Sequence, residues 1–214
     1  MDEPSALKLA SELSGEVWGF KVNDLLLECG VSIIQKLGQH GKVFADAKVH
    51  EIPNTTKNSV RRLSKAGASI ITVHASGGRA MLQAADDAAG EALVCAVTVL
   101  TSLTDADSQE IYSSDSKSKV ISFARLVKES GLGGIICSPQ ELVALNQDED
   151  CRSLAKVCPG VRPSWYGKAD DQNRVATPEQ AISDGASLLV VGRPITSAEN
   201  PVEAAKKIEA EIEA

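Results

Sequence analysis

The sequence lacks three features that would assign it to common classes of protein. No apolar run reaches roughly 18 residues, the length at which a membrane-spanning helix becomes a candidate. Positive charge is not in excess, since the formal net charge is −7, which argues against a surface for nucleic acids or anionic membranes. No signal peptide precedes the first polar residues. We therefore expect a soluble, cytoplasmic protein whose partner is a small molecule.

The five cysteines also lack the spacing of a metal site or a redox motif. They contain no C-x-x-C pair, and no histidine lies near enough along the chain to suggest zinc. We predict reduced, mostly buried thiols and no bound metal.

Short apolar runs alternate with amphipathic helical patterns along all 214 residues. The predicted strands are 17–22, 43–47, 69–73, 93–99, 134–137, 154–157 and 187–191. The predicted helices are 5–13, 25–37, 54–66, 78–89, 116–130, 139–145, 178–184 and 198–213. Repeated β-then-α units indicate parallel strands joined by right-handed crossovers, which predicts one α/β domain, a (β/α)8 TIM barrel spanning residues 1–214.

The predicted barrel is one strand short at its beginning. The first helical pattern starts within a few residues of Met1, so residues 1–4 are too short to supply a strand. We expect an open barrel whose first strand is missing from this chain, with unpaired backbone groups beside the gap. Our hypothesis is that the given start lies inside a longer protein.

Charged side chains stand together where the second predicted strand ends. Phe44, Asp46 and Lys48 are two residues apart, so a strand would place them on one face, and a barrel strand would aim that face inward. Glu51 follows three residues later. A lone D-x-K pattern is more often a solvated strand end than a site. Its assignment therefore depends on the motifs around it.

A second candidate site follows the last predicted strand. Gly192 would let a ligand approach the backbone, and the planar guanidinium of Arg193 suits phosphate oxygens. Residues 159–176 form a long segment without a regular pattern, which the barrel would place beside Arg193. The loops after the last two strands of such barrels commonly bind phosphate. The alternative for Gly192 and Arg193 is a tight turn with an exposed arginine.

Several short segments match one protein family in the same order along the chain. They are Lys21-Val22, Asp46-x-Lys48-x-x-Glu51-Ile52-Pro53-Asn54-Thr55, and residues 73–78, 97–102, 159–163, 171–178 and 191–194. From about Ala6 to the last helix, the chain resembles the bacterial orotidine 5′-monophosphate decarboxylase family. The resemblance implies a cofactor-free decarboxylation of orotidine monophosphate to uridine monophosphate in pyrimidine biosynthesis.

The resemblance also implies the roles of the charged residues. Lys48 would supply a cation to the carbanion at C6 of the pyrimidine and then a proton. Asp46 would lie near the departing carboxylate and hold the ammonium in place, and Lys21 would join the same chain of charges. Fixed charges in a dry pocket stabilise a developing charge far better than water does.

The implied substrate-binding residues within one subunit are Thr101, Pro159, Arg162, Gln172, Gly192 and Arg193. Arg193 and Gln172 would hold the phosphate as the long loop closes, and Thr101 would hydrogen-bond the pyrimidine edge. In the family, the end of the D-x-K-x-x-D-I-P-N-T signature reaches a neighbouring subunit. Glu51, Ile52 and Thr55 would therefore act across a homodimer interface.

The chain departs from the family pattern at three points. Glu51 stands where the family has aspartate, Asn23 stands where it usually has glycine, and the first strand, which ends in Ala-Leu-Asp, is missing. Two alternatives stay open. One is a related sugar-phosphate decarboxylase, synthase or epimerase on the same barrel, and the other is a catalytically impaired homologue that binds uridine nucleotides.

Overall fold

The computed structural model describes residues 1–167 and 175–213, and these form a parallel sheet with helices packed against it. In this part of the chain, seven strands form one sheet in sequence order, and each strand is parallel to the next. The strands are β1 (Gly19–Val22), β2 (Lys42–Val49), β3 (Ile70–His74), β4 (Leu93–Val97), β5 (Gly134–Ile136), β6 (Ala155–Cys158) and β7 (Leu188–Leu189).

Helices lie before, between and after the strands. They are α1 (Glu3–Glu12), α2 (Leu25–Cys29), α3 (Ser32–Leu37), α4 (Pro53–Lys65), α5 (Arg79–Asp86), α6 (Asp105–Tyr112), α7 (Ser116–Glu129), α8 (Leu142–Gln147), α9 (Pro178–Ser183), α10 (Arg193–Thr196) and α11 (Pro201–Glu213). Each predicted strand is present, with ends that differ by a few residues. The architecture is that of a TIM barrel without its first strand, as the sequence predicts.

One predicted helix needs correction, and two helices of the structure were not predicted. The predicted helix 25–37 is two helices, because Gly30 has a φ of 62° and ends α2 before α3 begins. Helix α6 was not predicted: Ser108 is its one buried residue, so it has no apolar stripe, although Thr104 and Asp107 form a capping box at its start. The single turn α10 is too short for a periodic pattern to reveal.

The apolar residues form an inner core and an outer core. Phe44, Ile70, Cys95 and Val157 come from four different strands and pack together inside the curve of the sheet. A much larger cluster lies between the outer face of the sheet and the helices. The strands between β1 and β7 are therefore largely buried on both faces, which explains why they read as short, continuous apolar runs.

The sheet remains open between β1 and β7, because none of the described residues of these two strands pair with each other. The helices nevertheless cover this side of the molecule. Leu13 at the end of α1 packs against Ile208 of α11, and Glu16 forms an ion pair with Lys206 at 3.7 Å. A cavity of about 360 Å³ remains beneath them, between the two sheet edges.

All five cysteine thiols are free, and every one except the half-buried Cys29 is buried. Cys137, which follows β5, and Cys158, which ends β6, are neighbours with 3.8 Å between their sulfur atoms. The prediction of mostly buried thiols is confirmed. Within the described residues, none of the helices combines the length and the apolar character needed to cross a membrane.

One buried lysine holds the turn that leads into β6. Lys156 is 2% exposed, and its ammonium donates to the carbonyl oxygens of Cys151, Arg152 and Leu154 at 3.3, 2.9 and 3.0 Å. Burial lowers the pKa of this ammonium from its ordinary value. The contacts of Lys156 are those of a structural residue that satisfies three carbonyl groups.

Candidate active site

The candidate site begins at the carboxyl end of β2, where the regular strand geometry is interrupted. The pairing of β2 with β3 shifts register between Ala45 and Val49. Within this irregular stretch, Lys48 has a φ of 46°, a left-handed conformation that residues other than glycine rarely adopt. Phe44, Asp46 and Lys48 line one cavity, which agrees with the shared inward face that their spacing predicts.

A chain of charges crosses from β1 to β2. The Lys21 ammonium donates to Oδ2 of Asp46 at 3.2 Å, and the Lys48 ammonium donates to the same oxygen at 2.6 Å. Burial raises the pKa of the Asp46 carboxyl, but the charges of Lys21 and Lys48 and a hydrogen bond from Thr72 outweigh this effect. The pKa of Asp46 therefore lies below its ordinary value of 3.8. The carboxylate stays ionised between two cations.

Thr72 of β3 binds both Asp46 and Lys48, and the sequence did not predict it as a site residue. Its hydroxyl donates to Oδ1 of Asp46 at 2.9 Å and accepts the backbone N–H of Lys48 at 2.8 Å. The residue is fully buried. A polar residue among the apolar residues of β3 is the only signal that the sequence offers for it.

The cavity above these charges has a volume of about 310 Å³. Val97, Val99 and Ile136 form part of its apolar wall. Of the residues implied by the resemblance, those that line the cavity are Lys21, Asp46, Lys48, Thr101, Pro159, Arg162, Gly192 and Arg193. One concave site therefore combines a buried carboxylate held by two partly exposed ammoniums, an apolar wall and a guanidinium. This combination suits a small anionic ligand with an apolar ring.

The glycine beside the arginine keeps one side of the cavity accessible. A Cβ atom added at Gly192 would meet no atom within 4 Å. The backbone of Gly192 therefore borders open space within the cavity, which is what close approach of a ligand requires.

The signature residues that follow Lys48 lie outside this cavity. Glu51, Ile52 and Thr55 are all exposed, and Ile52 is 67% exposed despite its apolar side chain. The Glu51 carboxylate accepts the backbone N–H of Ile52 at 2.8 Å, so its observed contact is local. The three charges that stand together in the sequence are thus divided, because Asp46 and Lys48 form a partly buried ion pair that lines the cavity and Glu51 is exposed outside it.

Gln172 lies outside the described residues, as does the middle of the predicted loop. The described ends of this loop are held together, since Val161 and Ala176 form a parallel bridge and the Arg162 N–H donates to the Ala176 carbonyl at 2.9 Å. Ser164 is tied to helix α11, because its hydroxyl donates to Glu211 at 2.8 Å. The base of the loop is therefore anchored next to the cavity-lining residues Pro159 and Arg162.

A family model described as "Orotidine 5'-phosphate decarboxylase / HUMPS family" matches residues 1–208. The chain belongs to this family. It is 43% identical to the orotidine 5'-phosphate decarboxylase of Sphingopyxis alaskensis, over 97% of this chain and 93% of the relative. Identity to the decarboxylase of Syntrophomonas wolfei is 41%, over 97% and 92% of the two chains. A crystal structure of the Lactobacillus acidophilus enzyme superposes with a TM-score of 0.78 at 37% identity, covering 91% of this chain and 86% of that chain.

Asn23, a departure from the usual glycine of the orotidine 5'-phosphate decarboxylase family, takes part in the site. Its side-chain amide donates to the backbone carbonyl of Asp46 at 2.6 Å. The ends of β1 and β2 are thereby joined just beyond their regular pairing, which stops at Val22 and Ala45. The Asn23 side chain therefore ties the end of β1 to the charged segment of β2.

Two histidines lie beside the charge cluster, one directly after β2 and one at the end of β3. The rings of His50 and His74 are 5.3 Å apart between centroids. Burial lowers the pKa of His74, and the neighbouring His50 and Lys48 lower it further. Neither ring is among the residues that line the cavity. In the part of the chain that the structure describes, no group of three histidine, cysteine or acidic side chains is placed to hold a metal ion.

Proposed function

We propose that this chain converts orotidine 5′-monophosphate to uridine 5′-monophosphate and carbon dioxide without a cofactor. The observation that carries the proposal is the Lys48 ammonium, which is held by Asp46 in a cavity that Arg193 also lines. Family membership and relatives of 41–43% identity that bear the name of this enzyme support the same activity.

The proposed reaction needs a cation that is in position before the bond breaks. Cleavage of the bond between C6 and the carboxylate leaves an electron pair on C6 of the pyrimidine, and carbon dioxide departs. The Lys48 ammonium stabilises this carbanion and then transfers its proton to C6. The resulting amine regains a proton from solvent. Since Asp46 already holds the ammonium and is itself held by Lys21, little reorganisation is needed during the reaction.

The rest of the substrate is proposed to bind away from the reacting carbon. Arg193 and Gly192 would receive the phosphate, Thr101 would hydrogen-bond the pyrimidine edge, and Pro159 would line the ring pocket. Arg162 and Gln172 are proposed to assist from the loop. Binding energy from the distant phosphate then holds the substrate carboxylate next to Asp46, a position that it would not occupy by itself.

A direct assay distinguishes this function from the two alternatives. We expect the purified chain to consume orotidine monophosphate, followed by its absorbance, at the same rate with and without a chelator of divalent metals. A chelator-sensitive activity on a sugar phosphate would favour the related barrel enzymes. Binding of uridine monophosphate without any turnover of orotidine monophosphate would identify an impaired homologue and reject the proposal.

We further propose that two copies of the chain share their active sites. Leu27 is 92% exposed and Val31 is 45% exposed, and both border a groove of about 220 Å³ that also touches Asp46. Exposed apolar side chains clustered at a groove are typical of an interaction surface. Together with the exposed Ile52, they support a homodimer in which Glu51, Ile52 and Thr55 reach the site of the neighbouring copy.

Mixing two defective variants tests the shared site. Lys48→Ala and Glu51→Ala remove groups that the proposal assigns to the same site but to different subunits. After subunit exchange, half of the dimers should contain one intact site, so about a quarter of the wild-type activity should return. The control mixes Lys48→Ala with Asp46→Asn, which affect the same subunit's side of the site. Recovery in the control alone, or in neither mixture, would reject the shared site.

A further inference from the structure

The backbone of Lys48 is held in an unfavourable conformation by neighbours on other strands. Its φ of 46° lies in the left-handed region, which residues other than glycine occupy only when the surroundings require it. The register shift between Ala45 and Val49 removes the regular strand pairing that would otherwise fix this segment. Some other contact must therefore fix the direction in which the Lys48 side chain leaves the backbone.

The Thr72 hydroxyl makes that contact and a second one at the same time. It accepts the N–H of Lys48, a group that a regular ladder would pair with a backbone carbonyl. Its single proton is donated to Oδ1 of Asp46, while both ammoniums bond to Oδ2. One buried hydroxyl thus sets the rotation of the carboxylate and the backbone geometry of the lysine.

We propose that Thr72 is a positioning residue, which holds the Asp46 carboxylate and the Lys48 ammonium in register for decarboxylation. The proposal rests on the function proposed above. Thr72 is not among the residues that line the cavity, so removal of its hydroxyl acts through Asp46 and Lys48. Its effect should fall on kcat, while the KM for a substrate anchored through its phosphate changes little.

Two pairs of proteins, each differing by one hydroxyl group, test this role. The wild type and Thr72→Val have side chains of nearly the same shape, and Thr72→Ser and Thr72→Ala both lack the methyl group. In each pair, we expect the protein without the hydroxyl to have a kcat about 10- to 100-fold lower. Thr72→Ser should stay within a few-fold of the wild type. If it is as impaired as Thr72→Ala, the packing of the methyl group is the cause and the proposal is overturned.

Thr98 provides a matched control. It is also a buried threonine at the carboxyl end of a neighbouring strand, and its hydroxyl donates to the Ile136 carbonyl at 2.9 Å. Thr98→Val removes a hydroxyl of the same kind without touching Asp46 or Lys48. We expect its kcat to remain near that of the wild type. An equal loss in Thr98→Val would mean that any buried hydroxyl has this effect.

The pH profile provides a readout that a purely structural role would not change, and amide exchange at Lys48 reports directly on its hydrogen bond to Thr72. Thr72→Val removes a bond that lowers the pKa of Asp46, so the acid limb of kcat should move to higher pH, whereas Thr98→Val should not move it. The Lys48 amide should lose its protection from hydrogen exchange in Thr72→Val alone. Amide exchange can be measured whether or not the protein is active. Lack of turnover of orotidine monophosphate by the wild type would therefore reject the proposed function without deciding the role of Thr72. Unchanged protection of the Lys48 amide would separately reject the role of Thr72.

Discussion

Replacing Lys48 with alanine is expected to reduce kcat by about ten-thousandfold or more. The ammonium is proposed both to stabilise the carbanion and to deliver its proton, and each of these effects commonly contributes a factor of a hundred or more. The residual rate would come from binding of the substrate alone. Absorbance loss of orotidine monophosphate under saturating conditions measures the change.

Two further variants test whether the loss of activity in Lys48→Ala is specific to the Lys48 ammonium. Lys65→Ala removes an exposed lysine at the end of α4 and should keep full activity. Lys48→Arg retains a positive charge, but the guanidinium cannot release a proton at neutral pH, so it should remain nearly as inactive as Lys48→Ala. Activity of Lys48→Ala equal to that of the wild type would exclude the proposed mechanism.

Replacing Asp46 with asparagine should lower kcat by about a thousandfold without raising KM. The amide has nearly the same shape but cannot hold two ammoniums, and its neutral side chain removes the negative charge beside the substrate carboxylate. Ground-state binding should therefore stay the same or become tighter while the reaction slows. Separate values of kcat and KM are needed, and a fall confined to KM would contradict this assignment.

The same variant should reveal the carboxylate in the pH dependence of stability. The pKa of Asp46 is depressed in the folded chain, so its ionised form stabilises the fold above about pH 3.8 and this contribution disappears as the pH falls through the folded pKa. At neutral pH we expect Asp46→Asn to lower the free energy of unfolding by about 1–2 kcal/mol. The loss stays this small because the partly exposed ammoniums regain some hydration. The difference in thermal stability between the two proteins should narrow in acid, and a constant difference would argue against the depressed pKa.

Much of the fold was predictable because its signals are local. Strands buried on both faces read as continuous apolar runs, and their regular alternation with helices predicts parallel pairing. Helix α6 escaped prediction because it is mostly exposed, and the split at Gly30 escaped because the apolar pattern continues across it. In both cases the deciding information was a turn or a cap rather than the period of the hydrophobic residues.

The candidate site was predictable to a similar degree. The spacing of Asp46 and Lys48 placed them on one inward face, and the order of the motifs led to Arg193, which lines the same cavity. Thr72 could not be assigned, because its two hydrogen bonds depend on β3 lying beside an irregular part of β2. Asn23 was noticed only as a departure from the family pattern, and its bond to the Asp46 carbonyl became visible in three dimensions.

The sequence alone determined the class of fold, the family resemblance and the identity of the charged residues, since strand period and motif spacing are properties of neighbouring positions along the chain. Tertiary structure decided how those charges are arranged. It brought Lys21 of β1 and Thr72 of β3 to the carboxylate of Asp46 on β2, and it left Glu51 exposed outside the cavity. The physical reason is that hydrogen bonds between strands depend on register and on a local irregularity at Lys48, neither of which is written in the spacing of the residues themselves.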